Sequence, residues 1–258
     1  MHEIPMYGMS EAFFQCWQAA AQHLHRQVDG GIKSWLRCQP IAPFLEHLSF
    51  RLGNQLFFIR VDDVDGKVQG PGNENGFIAA AEMARGHALI MPMKKNSVTG
   101  AWAADAPGWG LLNPENGHPV NPVALITDEK IEMTPWEVQD FAVQIVRDYL
   151  EQQGFTLMSW QSNPAVNPSI WFVGESRRPE WVVVRVAKFP AKRAPRPANW
   201  AEIVASCSPT GSSLGHFASV VVASSEQSFL SDDEAPLPLW RGHALMVDFR
   251  RLEEPDAD

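Results

Sequence analysis

Long apolar runs are absent from this 258-residue sequence. No stretch of about 18 apolar residues occurs, which excludes a membrane-spanning helix. The opening residues, MHEIPMYGMSEAFFQCWQAAAQHLHRQ, lack a cationic start followed by an apolar core, so no secretory signal is expected. Cysteine is scarce. Cys16, Cys38 and Cys207 are odd in number and far apart, which argues against a disulfide framework and fits a reducing, cytoplasmic setting. Positive charge is also short: 21 Lys and Arg stand against 30 Asp and Glu, a formal net charge of -9. A surface of that sign disfavours general attraction to nucleic acid or anionic membranes and leaves room only for a local basic patch.

Hydrophobic residues make up 45% and charged residues 20%, which places the chain with globular rather than disordered proteins. Its length is comfortable for two domains of about 125 residues, each able to bury a core. Ten tryptophans are expected to fill those cores, because indole buries a large area.

The chain also repeats itself. LFFIRV at 56–61 returns as WVVVRV at 181–186, 125 residues later, and an echo of this kind bears on the whole architecture. A helix is predicted over 10–28, with Ser10 as cap and Phe13, Trp17, Ala20 and Leu24 as its buried stripe. A second is predicted over 134–153, with Thr134 as cap, Pro135 in the first turn, Glu137 closing a capping box, and Val138, Phe141, Ala142, Ile145 and Tyr149 inside. At the same offset the two stripes coincide. Strands follow each helix: LEHLSFRL (45–52) before LFFIRV, and FTLMSW (155–160) and SIWFV (169–173) before WVVVRV. Each inner strand leads to a short helix, GFIAAAEMAR (76–85) or ANWAEIVAS (198–206), and then to a Gly-His step and another strand, Gly86-His87 or Gly215-His216. A last echo pairs Pro107, Trp109 and LL with Pro238, Trp240 and ALMVDF. The strand, helix, strand step implies a right-handed crossover. The fold class is therefore α/β (α+β): two similar helix, β-meander, helix, strand units with mixed central sheets, over 1–128 and 129–258, the second a diverged duplicate of the first.

Set in that order, PSIWFVGESRRPEWVVVRVAKFP (168–190) resembles the metal-site hairpin of the PD-(D/E)xK, or restriction-endonuclease-like, superfamily. The resemblance covers most of the second half and, through the duplication, part of the first. It implies an Asp on one strand and Glu-x-Lys on the next, with the carboxylates holding Mg²⁺ and the Lys activating water. Aligned on the inner strand, the Lys position corresponds to Arg185 and, in the first half, to Arg60. The acidic positions fall on Val183 and Phe58, so both copies look catalytically degenerate. Glu175 and Glu180, in the neighbouring turn, would have to migrate to serve. With Arg185 they are the catalytic candidates of a nuclease reading, the one reading that requires Mg²⁺.

Other motifs fail their structural tests. Gly211-Ser-Ser213-Leu-Gly215 matches a nucleophile elbow, but a helix precedes it and a strand follows, the inverse of what an elbow needs. Asp62, Asp63 and Asp65 precede Gly66, yet a calcium loop with Gly66 sixth would begin at Val61 and end at Gly72. A solvated turn with Gly66 at positive φ is expected instead. His23 and His25 do not share a helix face. His87 and His216, at equivalent strand starts, are expected to bond backbone. No histidine and cysteine spacing fits a metal site.

One basic concentration interrupts the acidic chain: Arg177, Arg178, Arg185, Lys188, Lys192, Arg193 and Arg196, interleaved with Trp181 and Trp200. Arg60, Arg185, Lys188, Lys192, Arg193 and Arg196 are the anion-binding candidates. This 177–196 stretch can meet nucleic-acid phosphates, an acidic partner, the acidic end EEPDAD (253–258), or solvent. The arginines at 60 and 185 are expected to pair with nearby carboxylates. The expected function is binding or regulation of another protein, in the manner of an adaptor or immunity protein, without a working active site or cofactor. The alternatives are a metal-dependent nuclease-like enzyme with migrated carboxylates and a non-catalytic nucleic-acid binder.

Overall fold

The computed structural model describes residues 10–36, 48–70, 74–207, 215–229 and 235–254. The chain divides into two compact units, Met1–Glu129 and Lys130–Asp258.

The first unit opens with α1 (Glu11–Arg26), whose cap Ser10 accepts from the Phe13 amide. Strands β1 (Trp35–Leu36), β2 (Leu48–Leu52) and β3 (Gln55–Asp63) form an antiparallel meander. Gly53 and Asn54 make the two-residue β2–β3 loop, with Gly53 at φ 58 as a tight hairpin requires. Helix α2 (Glu74–Met83) carries the chain over to β4 (His87–Lys95), parallel to β3, and β5 (Trp102–Ala104) closes the edge. The strands lie in the order β1-β2-β3-β4-β5.

The second unit follows the same plan. Helix α3 (Pro135–Gln152) begins at the capping box of Thr134 and Glu137. Then come β6 (Thr156–Trp160), β7 (Ile170–Val173), β8 (Pro179–Lys188), α4 (Trp200–Cys207), β9 (Gly215–Ser224) and β10 (Leu245–Asp248). The order is β10-β9-β8-β7-β6, with β8 and β9 parallel and the other neighbours antiparallel. Each unit is thus a helix, a meander, a crossover helix and a strand around a mixed sheet. Helix α1 packs on one core with Phe57, Ile59, Leu89 and Met91, and α3 on the other with Val182, Val184, Ala218 and Val220. The alternate residues Trp181, Val183 and Phe217 pack with Ile203 of α4. An inner strand covered on both faces explains why VVVRV is nearly continuous in apolar residues.

Pairing registers align the two units. Phe57 faces His87 and Arg60 faces Ile90, just as Val182 faces His216 and Arg185 faces Ser219. The two arginines therefore stand on equivalent rungs. The Gly-His step has a packing cause. A Cβ on Gly215 would lie 2.0 Å from the Trp181 ring, and one on Gly86 would lie 2.7 Å from Phe58.

Two expectations need correction. The buried faces are Phe13, Cys16, Ala20 and Leu24 on α1, and Val138, Ala142, Val143, Val146 and Leu150 on α3, together with Glu137, Gln139 and Asp140. Cys16, Ala20 and Leu24 match Ala142, Val146 and Leu150, so the helical faces align one residue later than the inner strands do. Trp17, Phe141 and Tyr149 only border the cores. The second correction concerns the edge strands. The counterpart of β10 is β5, since Met93 pairs with Ala104 where Val222 pairs with Val247. The LL pair at 111–112 instead supplies isolated bridges, from Leu112 to Ile90 and to Pro119.

Candidate functional site

The two ends of β8 carry different chemistry. Glu180 and Arg185 are five residues apart, so they point to opposite faces and lie about 16 Å apart along the strand. They do not converge on one metal or water. Glu180 is buried. It accepts from Ser176 Oγ at 2.6 Å and lies 3.0 Å from His216 Nε2. Its counterpart in the first unit is Gln55, whose Oε1 is 3.0 Å from His87 Nε2. Both histidines thus pair with a side chain on the adjacent inner strand, rather than with the backbone as expected. Glu175 stays exposed in the β7–β8 turn. His87 also lines a cavity of about 310 Å³ with Ile78, Glu82, Leu89 and Asn113.

The equivalent arginines have diverged. Arg60 donates to Asp62 at 2.8 Å and to Glu74 at 3.3 Å. Burial works against its charge, but the two carboxylates hold the guanidinium above its ordinary pKa. Arg185 instead donates to Val184 O, Pro164 O and Asn167 Oδ1 at 2.8 to 3.0 Å. Burial pulls its pKa down. The expected carboxylate pairing therefore holds for Arg60. Arg185 acts as a brace for the β6–β7 connection. Beside it, Gln139 Nε2 donates to Val184 O, and Ser169 Oγ accepts from Val184 N. These bonds satisfy an inner-strand peptide beyond the end of β7.

The basic stretch is not one patch. Arg177 and Arg178 lie in the turn before β8, while the segment after β8 folds back along β9 and sets Arg193 and Arg196 beside Phe217. Lys188 pairs with Glu132 at 3.5 Å. Past β8, Lys192 and Arg193 join Arg250 and Arg251 around a cavity of about 400 Å³. Asp248 and Glu253 line it too, with Ser219 and Val221 of β9. Ser219 Oγ accepts from the Ala194 amide at 2.8 Å, which fixes the loop that carries Lys192 and Arg193.

The segment after β10 supplies the other two cations. Asp248 pairs with Val221 and Glu253 with Phe217. The C-terminal segment advances five residues while β9 advances four. Arg250 and Arg251 lie in the unpaired stretch between these two contacts. Arg250 lies 3.4 Å from Asp248. Arg251 makes no hydrogen bond or ion pair among the described residues. Arg193 contacts the Glu253 carboxylate, and Arg196 lies 3.8 Å from it. The Arg196 guanidinium also lies 5.5 Å from the Trp200 ring and 5.7 Å from Phe217. Basic and acidic segments thus meet at Glu253, and the cavity keeps four cations against two carboxylates.

Elsewhere, Gly66 adopts φ 66 in the acidic turn. Asp63 there accepts from the amides of Asp65, Lys67 and Val68, so its oxygens are spent on backbone. Residues 211–214 of the elbow-like motif, and Cys38, lie outside the described residues. Cys16 and Cys207 are free and buried. Burial, then Asp63 and Asp62, pushes the Cys16 thiol up to about 12; burial also raises Cys207. Among the described residues no three His, Cys, Asp or Glu side chains are grouped to hold a metal. No described helix is long and apolar enough to cross a membrane.

Two buried polar pairs carry no local signal in the sequence. Arg241 donates from Nε and Nη2 to Glu137 at 2.8 Å each, across 104 residues. Ser162 Oγ donates to Asp140 Oδ1. Glu137 was visible only as a capping residue, and nothing local marks Arg241 or Asp140 as buried.

Residues 136–255 are similar to a domain of unknown function (DUF8840). No curated protein and no solved structure matches the chain.

Proposed function

We propose that the chain is a binding protein, built from two diverged copies of one α/β unit, whose second unit captures an acidic segment of a partner protein. The observation that carries this reading is the cavity formed by Lys192, Arg193, Arg250 and Arg251 in a chain of net charge -9. Cations brought together from two separate segments against that background favour an anionic ligand. A protein ligand is favoured over a base-stacking one because Trp200 and Phe217 are engaged by Arg196. The reading extends to descent from a restriction-endonuclease-like core. The equivalent rungs of Arg60 and Arg185 and the helix, meander, helix, strand order support it. An adaptor or immunity-like role in the cytoplasm fits such a scaffold.

The test is fluorescence anisotropy with a labelled glutamate-rich peptide and a labelled single-stranded DNA, titrated with the full chain at rising salt. The peptide is expected to bind, with affinity that falls with salt and is lost in the combined Lys192→Ala, Arg250→Ala, Arg251→Ala variant. Binding of the DNA alone would favour the nucleic-acid reading. Mg²⁺-dependent cleavage lost in Glu175→Ala or Glu180→Ala would favour the nuclease.

A further inference from the structure

We infer that Glu253 is a resident ligand of this cation cluster, competing in cis with the acidic segment of a partner. This rests on the reading that the cavity takes such a segment.

Glu253 combines a fixed backbone with a side chain that can be released. Its N–H donates to Phe217 O at 2.8 Å, and its carbonyl accepts from Phe217 N at 2.9 Å. The main chain is therefore held by two bonds that do not involve the carboxylate. The carboxylate touches Arg193, lies 3.8 Å from Arg196, and is one-quarter exposed. Arg196 is held independently by Glu254 O at 2.9 Å and by two rings. Rotation of one side chain would clear Arg193 and bare Arg196 without breaking the bridge or unseating the arginine.

A pair this exposed gains little from its own attraction, so an external carboxylate can displace it at small cost. The contact also identifies the chemistry the cluster accepts: a carboxylate against two guanidiniums, both beside the Phe217 ring and one of them also beside Trp200. An extended peptide with successive Glu or Asp side chains can replace Glu253 there and reach Lys192, Arg250 and Arg251 in the same cavity. Glu253 then lowers the affinity of the site and raises its selectivity, because a weakly charged ligand gains too little to displace it.

The test uses the full chain, the Glu253→Gln and Glu253→Ala variants, and the same labelled glutamate-rich peptide at low salt. Both variants keep the backbone bridge, and unchanged melting curves verify it. Removing one negative charge a few ångströms from the ligand is expected to tighten binding roughly three- to tenfold. Adding Arg193→Ala to Glu253→Gln is expected to abolish that gain. If wild type binds the peptide and neither variant binds it more tightly, the cis competition is overturned while the cavity reading stands. If no form binds, the cavity reading falls, and this inference with it.

Discussion

Replacing Arg241 with methionine tests the most consequential contact in the second unit. Arg241 is 1% exposed and Glu137 is 4% exposed. Their two 2.8 Å bonds form a desolvated ion pair. Methionine fills much of the volume but removes the charge, so Glu137 stays buried with only Thr134 N and Oγ1 as donors, both at 2.9 Å. Breaking a buried pair from one side costs about 3–5 kcal/mol, because the remaining charge has no compensation. That is a large share of the roughly 5–15 kcal/mol that stabilises a domain. For a unit of this size it amounts to a drop of roughly 10–20 °C in melting temperature. Urea denaturation followed by circular dichroism measures the loss directly. Adding Glu137→Gln is expected to restore most of it, since the amide oxygen still caps α3 and no buried charge remains. A loss below about 1 kcal/mol for Arg241→Met would refute the reasoning, and so would a double variant less stable than the single one.

Gly215→Ala is expected to cost about 3 kcal/mol, because its Cβ would meet a fully buried Trp181 ring; the larger clearance at Gly86 predicts a smaller loss, and near-equal melting curves would contradict both. Glu180→Gln is expected to cost less than about 1 kcal/mol, since Gln55 already makes the same contact to His87, whereas Glu180→Ala orphans His216 and Ser176 and costs about 1–3 kcal/mol in the same denaturation assay. The raised Cys16 thiol gives stability that is complete below the ordinary thiol pKa and is lost as pH rises from 9.0 to about 12, worth about 4 kcal/mol at the upper end. Cys16→Ala should flatten that alkaline slope, and in a Cys38→Ser background neither Cys16 nor Cys207 should react with a thiol reagent at neutral pH before unfolding.

Local chemistry made the frame legible. Ser10, and Thr134 with Pro135 and Glu137, mark helix starts because the orphan amides of a first turn need those side chains. VVVRV marks a doubly covered strand, and Gly86 and Gly215 mark strands that pass close to an aromatic neighbour. The helical phase was harder to see. Phe141 and Tyr149 only border the core and Ile145 is half-buried, whereas Gln139 and Asp140, which look like surface residues in sequence, lie inside with polar partners. The site was least legible. A run of basic residues reads as one patch, but Arg177 and Arg178 stay in the turn before β8, while Lys192 and Arg193 meet Arg250 and Arg251 from a distant part of the sequence, a meeting that no local signal announces. Pairings such as Arg241 with Glu137 join residues 104 positions apart, a separation that spacing rules do not reach.

Amide hydrogen exchange on the full chain, with and without excess glutamate-rich peptide, tests the central claim most directly. The account predicts slowed exchange confined to 189–196, 219–221 and 248–253, and no slowing in the combined Lys192→Ala, Arg250→Ala, Arg251→Ala variant. Slowing centred on the 174–180 turn, or equal slowing in wild type and variant, would contradict it.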